Sequence, residues 1–323
     1  QAAKDMVPER RDSNHEFGVN PCSEIVLRPR QFCNLSEVVC RPTDTLATLR
    51  KKITQATWIG TIQSTLTDFR YLSTPWKKNT EEERLLGVSL TGIMDCPALM
   101  GASDKELRGL RDHAVKENGL CAKLIGIPES TAVTCVKPSG TVSQLVDCAS
   151  GIHPRHNSTF IRHVRNDKKD PMSTALIEAG VPYADDPGKE GQWAFSFPMK
   201  SPDESITRHN LTAIEHLTIW KRFALNWCEH KPSITVSIKE HEWVEVGAWV
   251  YENFNILSGA SFLPHSEEDH SYQMLPYQDC TAKEYKALEK VMPTHIDWDS
   301  IKEEEDQTIA SQEYACMAGE CEI

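Results

Sequence analysis

The sequence predicts an α/β fold with a largely parallel sheet. Apolar or β-branched runs recur along the chain, at Ile25–Leu27, Ala132–Val136, Trp193–Phe197, Ile234–Ile238 and Ile256–Leu263, and helical patterns separate most of them. Strands joined by helical crossovers favour parallel pairing. The 323 residues allow one large α/β unit, or about two domains at roughly 150 residues each.

Each helical segment has its own signal. Between the first two runs the pattern predicts helices over Leu46–Phe69, Thr80 to about Asp95, and Ser103–Ile125. Thr80 with Glu83, and Ser103 with Glu106, have the spacing of a capping box, in which each side chain satisfies a free amide of the first turn. Further helices are expected over Met172–Ala179, Asn210–Cys228 and Glu240–Phe254. From Ser300 the chain turns acidic and reads as a mobile tail.

Charge and composition narrow the function. There are 47 acidic and 35 basic side chains, a formal charge of −12, which argues against wrapping nucleic acid. With 39% apolar residues and eight Trp the chain can build a real core. No apolar run approaches the ~20 residues of a membrane span and no signal-peptide pattern opens the sequence, so a cytoplasmic setting is expected. The polar stretch Gln1–Glu16 reads as a cut through a longer protein. Eleven cysteines, an odd and scattered set, read as thiols in a reducing compartment.

Four motifs carry the chemistry. In Asn20-Pro21-Cys22-Ser23-Glu24, an extended backbone would turn Asn20, Cys22 and Glu24 to one side, an amide, a thiol and a carboxylate facing one volume. Pro21 argues for a loop, and the competing reading is a polar turn with a buried Cys. Eleven residues on, Cys33 is either a redox partner or a structural thiol. Lys137-Pro138-Ser139-Gly140-Thr141 follows a strand and precedes Val142, Leu145, Val146 and Ala149 at helical spacing, with Gly151 as a natural stop. Such a turn presents free amides suited to a phosphate, with the Ser139 and Thr141 hydroxyls as extra donors, but it lacks P-loop spacing. Finally, Cys316 and Cys321 near the C-terminus favour thiol exchange over half a zinc site.

Together these motifs, spanning about Gly18 to Cys321, resemble the catalytic half of a ribonucleotide reductase. The resemblance implies the second five-stranded parallel half of a ten-stranded α/β barrel, with the Asn-Pro-Cys-x-Glu motif on a finger loop near residues 18–24. Residues 1–299 would be the C-terminal part of the catalytic barrel, including the helical stretch 46–125 and the phosphate turn 137–141. Residues 300–323 would be a mobile redox tail. Carried over by position, Cys22 would be the thiyl radical that takes the ribose 3′-hydrogen, Glu24 the acceptor of the 3′-hydroxyl proton, and Asn20 the group that holds the ribose. Cys33 would be one of two reducing thiols, Ser139, Gly140 and Thr141 would bind the substrate phosphates, and Cys316 with Cys321 would re-reduce the active-site disulfide.

Presences and absences narrow the class. Glu24 and Cys33 are typically missing from glycyl-radical reductases, and the Tyr-Tyr pair of the aerobic two-component reductases is nowhere in the sequence. Ser261-Phe262-Leu263-Pro264, Leu275-Pro276-Tyr277-Gln278-Asp279-Cys280-Thr281 and Arg84-Leu85-Leu86-Gly87-Val88-Ser89-Leu90-Thr91-Gly92 are instead similar to adenosylcobalamin-dependent, class II reductases. Adenosylcobalamin is then the expected cofactor, with no metal-ligating residue assigned. The expected partners are a ribonucleotide, a missing N-terminal half that holds the thiol paired with Cys33, and a thioredoxin-like reductant. Cys135, Cys148 and Cys228 read as small buried hydrophobes. The alternatives are the large subunit of an aerobic two-component ribonucleoside-diphosphate reductase and a non-catalytic nucleotide- or metal-binding fragment.

Overall fold

A computed structural model describes residues 2–203, 205–265 and 274–302; Cys316 and Cys321 lie outside the described residues. The chain opens with α1 (Ala2–Asp5), an antiparallel hairpin of β1 (Gly18–Val19) and β2 (Val26–Leu27), and β3 (Asn34–Val39). Then come α2 (Leu46–Gln63), α3 (Thr74–Glu83), β4 (Leu86–Thr91), α4 (Pro97–Met100), α5 (Asp104–Ile125), β5 (Thr134–Cys135) and α6 (Val142–Leu145). After β6 (Thr159–Asp167), α7 (Pro171–Glu178), β7 (Tyr183–Asp185) and β8 (Gln192–Lys200) follow α8 (Ala213–Asn226), β9 (Ile234–Ile238), α9 (Trp243–Glu252) and β10 (Ala260–Pro264). β11 (Tyr277–Asp279) and α10 (Ala282–Val291) complete it. The described residues form two compact units, one from residues up to 155 together with 208–265, the other from 156–203, 205–207 and 274–302.

In the first unit β3, β4 and β5 pair in parallel, as do β9 and β10. A parallel bridge between Val136 and Pro232 joins the two sets. The Val136 N–H donates to the Lys231 carbonyl at 3.3 Å, and the Ser233 N–H to the Val136 carbonyl at 3.0 Å. Five parallel strands therefore follow one another in the order β3, β4, β5, β9, β10.

The register gives this sheet two unlike faces, because successive side chains of a strand alternate. Val38, Leu86, Val88, Leu90, Ile234, Val236 and Ile238 point to one side and join the main core. There Leu49 and Ile53 of α2, Leu107 and Leu110 of α5, and Trp220 and Phe223 of α8 cover them. Capping boxes at Thr45, Ser103 and Thr212 fix where those helices begin. Trp220 donates its indole N–H to the Pro232 carbonyl at 2.9 Å and Trp227 to the Cys135 carbonyl at 2.8 Å, so neither large ring buries an unpaired donor. The other face carries Leu35 and Glu37 beside Gly87 and Ser89, with Cys135 in register with Ser89 and Thr235 with Ser261. It is small and polar where the first is apolar.

The second unit is built on an antiparallel sheet in the order β11, β6, β8, β7. Leu176, Val181 and Phe195 form its small core.

The α/β class and the crossovers stand, but several elements differ from the sequence expectation. Trp193–Phe197 lies in β8, an antiparallel strand of the second unit, and Ile25–Leu27 contributes only to the hairpin. The helix expected over Thr80–Asp95 is not formed: Thr80 and Glu83 sit in the last turn of α3, which starts after Ser73 with a proline in its first turn. Arg84 then takes a left-handed φ of 46°, and the chain becomes β4, because Leu86, Val88 and Leu90 recur at the period of a strand rather than a helix. The helix expected over Leu46–Phe69 is α2, which stops at Gln63, and β10 begins only at Ala260. Among the described residues no helix is long and apolar enough to cross a membrane.

Candidate active site

The hairpin of β1 and β2 carries residues 20–25 as its tip. This tip is a turn, so the alternation expected for Asn20, Cys22 and Glu24 does not apply. The Ser23 N–H donates to the Asn20 carbonyl at 2.9 Å, and Ser23 has a left-handed φ of 59°. Pro21 suits the second position of such a turn, where its fixed φ is already right. Asn20 closes the tip twice: its N–H donates to the Ile25 carbonyl at 3.1 Å, and its Oδ1 accepts from the Ile25 N–H at 2.9 Å.

The tip is held by distant parts of the first unit. The Lys231 N–H donates to the Glu24 carbonyl at 2.9 Å, and the Ser258 hydroxyl donates to the Ser23 carbonyl at 3.3 Å. Gly259 has φ +59°, and a Cβ there would lie 3.0 Å from the Cys22 carbonyl oxygen. Glycine is thus required for the approach to the tip, on both conformation and space. On the sheet, a Cβ at Gly87 would meet Leu35 at 2.3 Å, the Cys135 Sγ at 3.3 Å and the Ile25 Cδ1 at 3.4 Å, so the tip lies over the polar face.

The Arg11 guanidinium anchors the base of the hairpin. It is 3% exposed and holds Glu83 bidentately at 2.9 and 2.8 Å. A third bond, of 2.7 Å, runs to the Val26 carbonyl in β2. Gln31 donates to the same carboxylate. Burial alone would raise the Glu83 carboxyl, but the Arg11 and Gln31 hydrogen bonds outweigh it and hold the group below its usual value.

Glu24 is the exceptional group. It is 0% exposed, and among the described residues neither carboxylate oxygen has a hydrogen-bond partner. A buried carboxylate without partners is costly, on the order of several kcal/mol, so folding alone gives no reason to keep it. Cys22 beside it is partly exposed and in no disulfide. Burial pushes the Cys33 thiol far up, and the Glu24 charge adds to the effect against Arg11. Cys135 is raised by burial first, then by Cys33, Cys228 and Glu24. These thiols are therefore protonated at neutral pH and share the space beneath the tip. Cys135, Cys148 and Cys228 are buried, as expected of small hydrophobes.

The turn at residues 137–141 lies beside the same polar face. The Lys137 N–H donates to the Ser89 Oγ at 2.9 Å. Ser139 has a left-handed φ of 56° and donates its hydroxyl to Glu37 at 2.8 Å. Among the described residues no hydrogen bond takes the N–H of Gly140 or Thr141, and a Cβ on Gly140 would meet nothing within 4 Å. The helix expected beyond it has only four residues, and Val142 and Leu145 are 47% and 85% exposed rather than packed. Gly151 is no helix stop. A Cβ there would lie 2.3 Å from the Lys137 carbonyl, so it lets the segment pass under the turn.

Asn20, Cys22 and Glu24 thus lie on the tip and Cys33 is near enough to Glu24 to sense its charge, while Ser139 donates its hydroxyl to Glu37 and, among the described residues, the amides of Gly140 and Thr141 stay open. Sequence reasoning missed Arg11, Glu37, Gly87, Lys231 and Gly259. Glu37 was detectable, since Cys33, Leu35 and Glu37 alternate along β3; the others depend on contacts between segments far apart in the chain.

No family model matches the chain. A solved B12-dependent, class II ribonucleotide reductase has the same fold, with a TM-score of 0.71 at 21% identity, over 88% of this chain and 43% of that one. The chain is 28% identical over 301 residues to a probable adenosylcobalamin-dependent ribonucleoside-triphosphate reductase of Dictyostelium discoideum, covering 88% of this chain and 38% of the relative. It is 25% identical to the enzyme of that name from Euglena gracilis, again over 88% of this chain and 39% of the relative. The resemblance carried by the motifs is borne out, and the chain spans about two fifths of the length of these curated relatives.

Proposed function

We propose that this chain forms the thiyl-radical half of an adenosylcobalamin-dependent ribonucleotide reductase, converting ribonucleotides to 2′-deoxyribonucleotides in the cytoplasm. The observation that carries the reading is Glu24, a fully buried carboxylate without a partner, next to a partly exposed thiol on a turn fixed from several sides. The five parallel strands and the polar face under the tip support the reading of half a ten-stranded barrel.

The donor set fits the cofactor at one point, the unlinked and partly exposed Cys22. When bound, adenosylcobalamin supplies the radical that removes the Cys22 thiol hydrogen. Cys22 then takes the 3′-hydrogen of the ribose, a reversible exchange because S–H and activated C–H bonds have similar strengths. Glu24 accepts the 3′-hydroxyl proton as the 2′-hydroxyl leaves as water, a transfer that requires a carboxylate within hydrogen-bond reach and free of other partners. Asn20 spends its Oδ1 on Ile25, so it would hold the ribose through its Nδ2. Cys33, kept as a thiol by burial, gives one of the two thiol hydrogens that the reduction consumes, of which one replaces the hydroxyl on the ribose and the other leaves in the water, and its disulfide partner lies in the part of the reductase that this chain does not span. Overall, one ribonucleotide and two thiols yield one deoxyribonucleotide, one disulfide and one water. Cys316 and Cys321 would return the disulfide to two thiols, with a thioredoxin-like donor restoring them. The open amides of Gly140 and Thr141 would hold the phosphates.

The test combines this chain with a chain carrying the remaining part of the reductase, under reducing anaerobic conditions, with adenosylcobalamin and a ribonucleoside triphosphate. Deoxynucleotide and a coupled cob(II)alamin–thiyl electron paramagnetic resonance signal are expected. Association without either would contradict the reading.

A further inference from the structure

The Ser139 hydroxyl is not aimed at the space in front of the turn. It donates to Glu37 Oε2 at 2.8 Å, while Glu37 Oε1 is buried and has no partner among the described residues. Glu37 comes from β3, the Ser89 that fixes Lys137 from β4, and the turn itself follows β5. Two neighbouring strands therefore set the conformation in which the amides of Gly140 and Thr141 stay open. A carboxylate is a poor neighbour for a phosphate, because both are anions at close range in a partly desolvated site.

The groups facing Glu37 decide how that conflict is relieved. Burial raises its carboxyl first, with the Ser139 hydroxyl and the Lys137 ammonium opposing. Cys135 on β5 also senses the Glu37 charge, which helps to keep that thiol protonated. The Lys137 ammonium that favours the charged form of Glu37 would also be drawn to an arriving phosphate, and Oε1, without a partner among the described residues, is the place for a proton.

Resting on the phosphate reading of this turn, we infer that Glu37 is a positioning residue that holds the Ser139 turn open and takes up one proton on Oε1 when a phosphate group seats on the Gly140 and Thr141 amides. The proton comes from solvent and converts the carboxylate to a carboxylic acid. Oε2 continues to accept from Ser139, so the turn keeps its shape through the change.

Calorimetry with inorganic triphosphate, repeated in buffers of different ionisation enthalpy between pH 6 and pH 8, counts the protons taken up. The wild-type chain is expected to take up more protons per bound triphosphate than Glu37→Gln, and to lose affinity more steeply as pH rises. The ligand's own protonation changes in both proteins, so the difference belongs to Glu37. Equal proton counts and parallel affinity profiles would overturn the inference. Ser139→Ala, which changes no charge, is expected to keep the extra uptake and weaken binding only several-fold; complete loss of binding would make the hydroxyl a ligand and overturn the latch. Gly140→Glu places a carboxylate in open space and is expected to abolish binding. Undiminished binding in that variant would overturn the phosphate reading, and the inference with it.

Discussion

Lys231 donates its backbone N–H to the carbonyl of Glu24 at 2.9 Å, which ties the tip of an N-terminal hairpin to the strand connection between Val136 and Ile234. That bond matters because the tip is otherwise a short turn on two-residue strands, too small to hold a fixed shape in water. The site is therefore assembled by the whole first unit, and its weak points can be named.

One is the Arg11–Glu83 pair. Removing Arg11 leaves a buried carboxylate unpaired and frees the Val26 carbonyl, and Arg11→Ala is expected to cost about 3–5 kcal/mol in urea unfolding. Glu83 is held below the usual carboxyl value of 4.5, so its stabilisation is present above that pH and fades as pH falls through the folded value. The variant should lose this part of the acid dependence.

Gly259→Ala probes the approach to Cys22. Its φ of +59° is strained for alanine and its Cβ would press on the Cys22 carbonyl. A loss of about 1–2 kcal/mol in stability is expected from the conformation alone, with a larger loss of kcat in the assembled enzyme than of substrate affinity. Equal wild-type kinetics would show that the tip does not depend on this contact.

Two buried histidines predict the acid limb of stability. Burial pushes His216 and His230 down to about 3 from 6.5, and both rings hydrogen-bond backbone carbonyls, Ile152 and Leu86 respectively. Because they are neutral when folded and charged when unfolded, their contribution is full above pH 6.5 and is lost as pH falls from there toward 3. Each group gives a slope of about 1.4 kcal/mol per pH unit. Denaturant midpoints measured between pH 7 and pH 4 should fall accordingly, and His216→Asn should flatten the slope by about that amount.

Thiol alkylation separates the cysteines. Cys22 is partly exposed, whereas Cys40 and Cys135 are 0% exposed and pushed up by burial. Site-resolved mass spectrometry at pH 8 should show Cys22 modified at least about a hundredfold faster than either, since buried thiols react only through opening.

The helices were the most legible part of the sequence, because Ser103 and Glu106 form the expected capping box, α8 falls inside its predicted range and α7 is offset from its predicted range by one residue at each end. β4 was misread because a cap-like Thr80 and Glu83 drew attention from the alternation of Leu86, Val88 and Leu90. The motif around Cys22 was visible as chemistry but not as shape: alternation predicted three side chains on one side, and a left-handed Ser23 produced a turn. Ser139 was legible as a turn residue, yet its partner Glu37 lies 102 residues away and only the sheet brings the two together.

The central claim is that the Cys22 sulfur performs the reaction. Deoxynucleotide formation by the assembled enzyme, with adenosylcobalamin and a ribonucleoside triphosphate, should disappear in Cys22→Ser while the melting temperature and the association of the two parts stay as in the wild type. A Cys22→Ser enzyme that still makes deoxynucleotide at a comparable rate would contradict it.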